Sequence, residues 1–124
     1  MATAIIPEAM ARYRRSALAR EMALQREAEQ RHQVAWDIAR RAAGLLREEF
    51  GATRVIAFGS LAHGAWFGVR SDIDLAAEGI PAEAFWRAWC ALDRLDPTVD
   101  IDLVAIESAP ERLRDEITQQ GVAL

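Results

Sequence analysis

The chain has 124 residues, of which 52% are hydrophobic, and it carries a net charge of −4 at pH 7. This size and composition predict one globular domain with its own hydrophobic core. The negative charge argues against direct binding to nucleic acid, which depends on a positive surface. All 15 lysine or arginine positions are arginine, so chemistry that needs a lysine, such as a P-loop or a Schiff base, is excluded.

The apolar segments and the cysteine count of the sequence also predict where in the cell the protein is located. No apolar run approaches the roughly 20 residues that a membrane span needs, and the first 15 residues lack the order of segments typical of a signal peptide. Cys90 is the single cysteine, which excludes a disulfide framework and a cysteine metal cluster. We therefore expect a cytoplasmic protein that does not bind membranes.

Residues 7–50 are predicted to be helical almost throughout. Pro7 suits a first helical position, and Gly51 suits a C-terminal stop. A continuous helix of this length would be roughly 65 Å long, so we expect either a break near residues 30–33 or a projecting arm. Residues predicted to face the core at helical spacing are Val34, Ile38, Ala42, Leu45 and Phe50.

This pattern predicts two parts, a helical arm over residues 1–33 and a globular domain over residues 34–124. The apolar stripe over residues 10–31 is patchy. The arm is therefore expected either to be solvated or to bind a partner, including a second copy of the chain.

After Gly51 the elements become short and alternate in type. The predicted strands are 53–58, 71–78 and 98–107, and the predicted helices are a short one from Ser60, one over 81–95, and one capped by Ser108 and Glu111 and ended by Gly121. The prediction is an α/β fold with a small sheet of about three strands covered by helices.

Two aspartates share one face of the second predicted strand. Asp72 and Asp74 alternate with Ile73 and Leu75, and residues two apart in a strand point to the same side. Two close carboxylates repel unless a cation lies between them, and Mg²⁺ is suited to one or two carboxylates plus substrate phosphates. By itself the D-x-D pattern is more typical of an exposed acidic loop than of a metal site.

Asp100 and Asp102 repeat the pattern on the third predicted strand. If the two strands are neighbours, a third carboxylate reaches the first pair. Three acids can hold two cations, which would clamp the attacking and leaving oxygens in phosphoryl or nucleotidyl transfer, and the third acid can accept the proton of the incoming hydroxyl. Gly59 and Ser60 form a turn whose backbone can approach a phosphate.

The stretches "VIAFGSLAHGAWFGVRSDIDLAA" and "VDIDLVAIE", roughly residues 52–107, resemble the minimal nucleotidyltransferases of the DNA polymerase β-like superfamily. The resemblance implies a small mixed sheet flanked by helices, to which the long N-terminal helical segment is added. It implies that Gly59 and Ser60 bind the nucleotide, and that Asp72, Asp74 and Asp102 bind metal and act in catalysis, with Asp102 a better match than Asp100. His63 stands where many relatives have arginine, and a neutral histidine would hold a triphosphate less strongly.

The resemblance implies transfer of a nucleotide monophosphate, AMP from ATP by preference, to a hydroxyl acceptor. It implies Mg²⁺, with room for two ions and with Mn²⁺ as a substitute. Minimal members often act as antitoxins paired with a HEPN ribonuclease toxin, which would be the protein partner and acceptor. The alternative is a non-catalytic module that blocks a partner by contact, and a small-molecule acceptor is weighted below a protein one.

Several residues are expected to have structural roles. His32 is predicted to be a solvated surface residue, and His63 to order the turn. The residues expected to pack locally or in the core are Trp36, Trp66, Phe67, Trp86, Trp89 and Cys90, while Arg70 is expected in a solvated loop.

Overall fold

The computed structural model describes residues 6–64 and 72–124. The elements in chain order are α1 (Ile6–Phe50), β1 (Arg54–Phe58), α2 (Ser60–His63), β2 (Ile73–Glu78), α3 (Ala82–Asp93), β3 (Ile101–Ala105), a 3₁₀ turn (Ile106–Ser108), α4 (Glu111–Gln120) and β4 (Val122–Ala123). The chain divides into two compact units, residues 1–30 and residues 31–124. In the described ranges, no helix is both long enough and apolar enough to cross a membrane.

Helix α1 runs from Ile6 to Phe50 as one helix, so the first of the two alternatives, a break near residues 30–33, is not found. Between residues 7 and 30 every side chain is exposed except Ala17 and Ala28, which are half-buried. The functional division into an arm over residues 1–33 and a catalytic domain over residues 34–124 stays a prediction.

In the second unit, α1 packs through alanines. Its buried residues are Ala35, Ile38, Ala39, Ala42, Ala43 and Leu46. Val34 is 54% exposed, so its predicted place in the core is wrong, whereas Leu45 and Phe50 pack against the core cluster as half-buried residues. The prediction followed large apolar residues, but small side chains on the inner face allow a helix to approach its neighbours closely.

The sheet has four strands in the order β3-β2-β1-β4. Strand β1 is antiparallel to β2 and β4, and β2 is parallel to β3. This confirms the predicted small mixed sheet flanked by helices. Strand β4 was not predicted, because it consists of only two residues and both are exposed.

The two faces of the sheet belong to two apolar clusters. Val55, Leu75 and Leu103 lie in the larger cluster, together with buried residues of α1 and α3. Ile56 and Ala76 point to the opposite face and pack with Ile117 of α4 and other residues of the smaller cluster. Because side chains alternate along a strand, the aspartates of β2 and β3 lie on the α4 face.

Two predicted boundaries shift for local reasons. Strand β3 begins at Ile101 rather than at residue 98, since Thr98 N donates to Asp96 Oδ1 at 2.8 Å and forms a turn. Helix α4 begins at Glu111, after Pro110. The predicted cap by Ser108 is wrong: Ser108 ends the 3₁₀ turn, and Ala109, which precedes Pro110, is extended and separates it from the helix. The predicted helix end at Gly121 is confirmed.

Gly121 marks a close approach between α4 and the sheet. Its N–H donates to Ile117 O at 2.9 Å, and a Cβ there would overlap Ile117 O and Ile56 Cγ2. We expect Gly121→Ala to lower the free energy of unfolding by about 1–3 kcal/mol, measured by urea unfolding. Gly44→Ala is the control: its Cβ would meet no atom within 4 Å, so it should stabilise the helix by about 0.5–1 kcal/mol. Equal unfolding midpoints for the Gly121 variant and the wild type would contradict this.

Candidate active site

Strand β2 presents two aspartates on the α4 face of the sheet. Asp72 directly precedes the strand and is exposed, while Asp74 is half-buried within it. Ile73 and Leu75 are fully buried on the other face. The alternation predicted for this stretch is therefore confirmed, and it aims both carboxylates in one direction.

Strand β3 brings the third acid beside the first two. In the parallel register Asp102 lies opposite Asp74, with Ile101 opposite Ile73. Ile73 N donates to Asp100 O at 2.9 Å, and Asp100 lies two residues before Asp102, beside the start of β2. The register thus places Asp102, rather than Asp100, next to Asp74. We call Asp72, Asp74 and Asp102 the carboxylate cluster.

The negative charges of this cluster act on one another. Burial of the carboxyl group, followed by the charges of Asp102, Asp72 and Glu116, raises the pKa of Asp74 to about 6. Partial burial, followed by the charges of Asp72, Asp100 and Asp93, raises the pKa of Asp102 above its ordinary value. Both shifts mean that the carboxylate form is disfavoured without a cation nearby.

Glu116 of α4 was missed in the sequence. Its contribution follows from the packing of α4 over this face of the sheet, which no local pattern reveals.

Among the described residues the ion pairs are Arg40–Asp37 and Arg54–Glu78, and neither involves the carboxylate cluster. The site therefore favours binding of a cation.

The Gly-Ser turn lies against the carboxylate cluster. Strand β1 ends at Phe58, opposite Asp74, and Gly59 follows with φ 69° and ψ −146° before α2 begins at Ser60. This backbone conformation is nearly restricted to glycine. A Cβ on Gly59 would also overlap Asp74 Oδ2. Glycine is thus needed here both for the turn and for the approach of Asp74.

His32 is not the solvated residue that was predicted. It is half-buried, its Nε2 lies 3.1 Å from Leu61 O of α2, and Trp36 Nε1 lies 3.2 Å from the same nitrogen. A single ring nitrogen cannot both donate to the carbonyl and accept from the indole at one time. With the proton on Nε2, His32 donates to Leu61 O and ties α1 to the short helix after the Gly-Ser turn.

The other residues for which structural roles were predicted fall into three groups. Trp36 and Trp89 are half-buried against the core, as predicted, and Cys90 is half-buried. Trp86 is 69% exposed, so its predicted core or interface position is not found within the described chain. His63 is exposed at the end of α2. Predictions for Trp66, Phe67 and Arg70 concern residues outside the two described ranges.

The side chains of the carboxylate cluster offer only oxygen atoms as ligands for a metal ion. In residues 6–64 and 72–124 no group of three or more His, Cys, Asp or Glu side chains is gathered closely enough to hold an ion by itself. The available donors are carboxylate oxygens, the ligands that Mg²⁺ prefers, and Mg²⁺ in nucleotide enzymes takes one or two carboxylates while substrate phosphates and water complete its shell. The oxygen donors of the carboxylate cluster therefore suit a divalent cation whose remaining ligands come from outside the protein.

Several solved structures are similar to this chain. A toxin–antitoxin complex with AMP-PNP has a chain 27% identical, with a TM-score of 0.58 over 68% of this chain and 70% of that one. A protein assigned as a minimal nucleotidyltransferase is 26% identical, with a TM-score of 0.51 over 77% and 91% of the two chains. In a complex of a tri-AMPylated Shewanella oneidensis HEPN toxin with its MNT antitoxin, the match is 24% identical, with a TM-score of 0.55 over 72% and 70%, which shows a common fold.

Among curated protein sequences, none matches this chain. The family model "Polymerase beta, Nucleotidyltransferase" matches residues 42–124, which include the Gly-Ser turn and the whole carboxylate cluster. This match covers more than half of the chain and agrees with the mixed sheet and its flanking helices. The chain therefore belongs to the polymerase beta nucleotidyltransferase family and is a nucleotidyltransferase.

Proposed function

We propose that this nucleotidyltransferase moves AMP from ATP to a hydroxyl group of a partner protein, with a divalent metal held at the carboxylate cluster. The observation that carries the proposal is the parallel register, which sets Asp102 beside Asp74 while Gly59 leaves room for the Asp74 carboxylate. The raised pKa values of both aspartates support a site that is completed by a cation. Mg²⁺ is the proposed ion, and Mn²⁺ has the same oxygen preference.

Each residue has a proposed role. Asp72, Asp74 and Asp102 would hold the metal, which when bound neutralises the triphosphate and polarises the α-phosphoryl group. The backbone at Gly59 and the hydroxyl of Ser60 would bind phosphate oxygens. Asp102, the more exposed member beside Asp74, would accept the proton of the incoming hydroxyl. The hydroxyl oxygen forms a bond to the α-phosphorus, and pyrophosphate leaves with the electron pair of the broken P–O bond.

The proposed partner and acceptor is a HEPN-type toxin, so the chain would act as the antitoxin of the pair. Support comes from the neighbours: one is a toxin–antitoxin complex that contains AMP-PNP, and another contains a HEPN toxin that carries AMP. The site itself favours a macromolecular acceptor, because Asp72 and Asp102 are exposed and Asp102 lies on β3, a terminal strand in the sheet order.

The test is an intact-mass measurement on this protein with ATP and Mg²⁺ or Mn²⁺, with and without a HEPN-type protein encoded beside it. We expect the partner to gain the mass of one or more AMP groups, and Asp72→Asn to abolish the gain while still binding the partner. The matched control is Asp115→Asn, an exposed aspartate of α4 that we place outside the site, which should transfer AMP normally.

Two results would overturn the proposal in different ways. If Asp72→Asn neutralises the toxin to the same extent as the wild-type protein does, and no adduct forms, the chain acts by contact as a non-catalytic module. If AMP appears on a small hydroxyl compound but never on the partner, the transfer chemistry stands and the protein acceptor is wrong.

A further inference from the structure

The first compact unit offers a surface that the proposed function does not use. We propose that residues 8–30 of α1, the N-terminal segment, pair in antiparallel orientation with the N-terminal segment of a second copy of this chain. This inference does not depend on the identity of the acceptor or on the metal.

The N-terminal segment keeps large apolar side chains in water. Tyr13 is 69% exposed, Leu24 is 65% exposed and Met10 is 47% exposed. Intrachain hydrogen bonds stabilise such a helix only marginally, and most helices in proteins depend on the packing of one apolar face. A surface of this kind is stabilised when another helix covers it.

The apolar face of the N-terminal segment is nearly a palindrome. Tyr13, Ala17, Leu24 and Ala28 lie on one face of the helix, spaced four, seven and four residues apart. Their midpoint falls between Arg20 and Glu21. In an antiparallel pair centred there, Tyr13 of each copy lies opposite Ala28 of the other, and Ala17 lies opposite Leu24. Each layer then sets a large side chain against a small one, which packs without voids.

The charges of the N-terminal segment select the same orientation. Residues 8–20 contain four arginines and one glutamate, whereas residues 21–30 contain three glutamates and one arginine. Antiparallel pairing sets the basic half of one copy against the acidic half of the other. Parallel pairing would set like charges side by side along the whole contact, and charges of this kind determine orientation more than affinity. Sequence symmetry and charge separation together identify a second copy as the occupant.

The first test compares two exposed leucines by sedimentation analysis of the full chain. Leu24 lies on the apolar face, and Leu18, which is 55% exposed, lies about 120° away around the helix. We expect a dimer to form as the protein concentration is raised to about 100 µM. Leu24→Glu should raise the dissociation constant by at least about tenfold, whereas Leu18→Glu should change it by less than about threefold.

The second test reads the orientation by disulfide cross-linking in a Cys90→Ala background. Tyr13→Cys and Ala28→Cys are made in separate chains, mixed, and oxidised with diamide. An antiparallel pair brings the two different thiols together, so the mixed disulfide should form and each variant alone should stay largely uncross-linked. A parallel pair would give the reverse result.

Three outcomes would overturn the proposal: a monomer at every concentration, efficient cross-linking of Tyr13→Cys to itself, or equal effects of the two leucine variants on the dimer. A monomer that binds a HEPN-type partner through Leu24 would identify that partner as the occupant instead. Normal AMP transfer by Leu24→Glu would leave the proposed function intact in each case.

Discussion

Replacing Asp74 with asparagine should abolish nucleotidyl transfer and, at the same time, stabilise the metal-free fold at neutral pH. The activity loss should exceed about 100-fold, because a carboxylate of the proposed metal site becomes neutral. The gain in stability follows from the surroundings of Asp74, where burial and the charges of Asp102, Asp72 and Glu116 raise its pKa from the ordinary value of 3.8 to about 6.

The sign of the stability effect can be worked out from proton binding. Below about pH 4 Asp74 is protonated in both folded and unfolded chains, and it costs nothing. Between about pH 4 and 6 the unfolded chain loses this proton first, so stability falls as the pH rises, and the full cost remains above pH 6. For a half-buried group with solvent screening this is about 1–2 kcal/mol, which Asp74→Asn should recover.

Thermal unfolding from pH 4 to pH 8 in the presence of a chelator measures this difference. The control is Asp96→Asn, because hydrogen bonds from Thr98 lower the pKa of Asp96. An aspartate with a lowered pKa contributes stability at neutral pH, so this variant should be less stable than the wild type there and should converge with it in acid. Addition of Mg²⁺ and nucleotide should stabilise the wild type more than Asp74→Asn. An Asp74→Asn protein that is less stable than the wild type at pH 7.5 would contradict the electrostatic account.

Gly59→Ala should damage both the stability of the fold and the proposed metal site. Alanine is strained at φ 69° and ψ −146°, and its Cβ would overlap the Asp74 carboxylate. Each effect costs about 1–3 kcal/mol, and any movement of Asp74 disturbs the proposed metal site. We expect a loss of stability of about 2–4 kcal/mol and a fall in AMP transfer of at least about 100-fold, measured by urea unfolding and by intact mass.

Gly51→Ala is the matched control for Gly59→Ala. Gly51 also has a positive φ, 75°, but a Cβ there would meet no atom within 4 Å. This variant should lose about 1 kcal/mol of stability from backbone strain and keep its activity. Equal losses of activity in the two variants would show that the contact between Gly59 and Asp74 has no part in the reaction.

Much of the candidate site could be predicted, because the residues that indicate it lie close together in the sequence. The alternation of Asp72 and Asp74 with apolar residues fixed their common face, and the Gly-Ser pair indicated a tight turn. The resemblance favours Asp102 over Asp100 as the third acid, and the strand register, which only the folded chain provides, sets Asp102 beside Asp74. Glu116 could not be predicted, since it reaches the site through the packing of α4.

The errors in the fold have physical causes of the same kind. The helical spacing of large apolar residues predicts Val34 in the core, whereas the helix packs through Ala35 and Ala39. Strand β4 has two residues and no pattern of its own. His32 looked like a surface residue of a polar helix, although the carbonyl of Leu61 in α2 lies within hydrogen-bond distance of it.

The repeated D-x-D pattern has a consequence for the way in which this sheet reaches a unique pairing. If β3 slid by two residues along β2, isoleucine and leucine would still face leucine and alanine, so apolar packing alone discriminates weakly between the two alignments. The slipped alignment would bring Asp100, rather than Asp102, level with Asp74. We therefore expect the connection from α3, including the Asp96–Thr98 turn, to help select the correct alignment. A loop that contributes no ligand to the proposed catalytic centre would then determine which aspartate enters it.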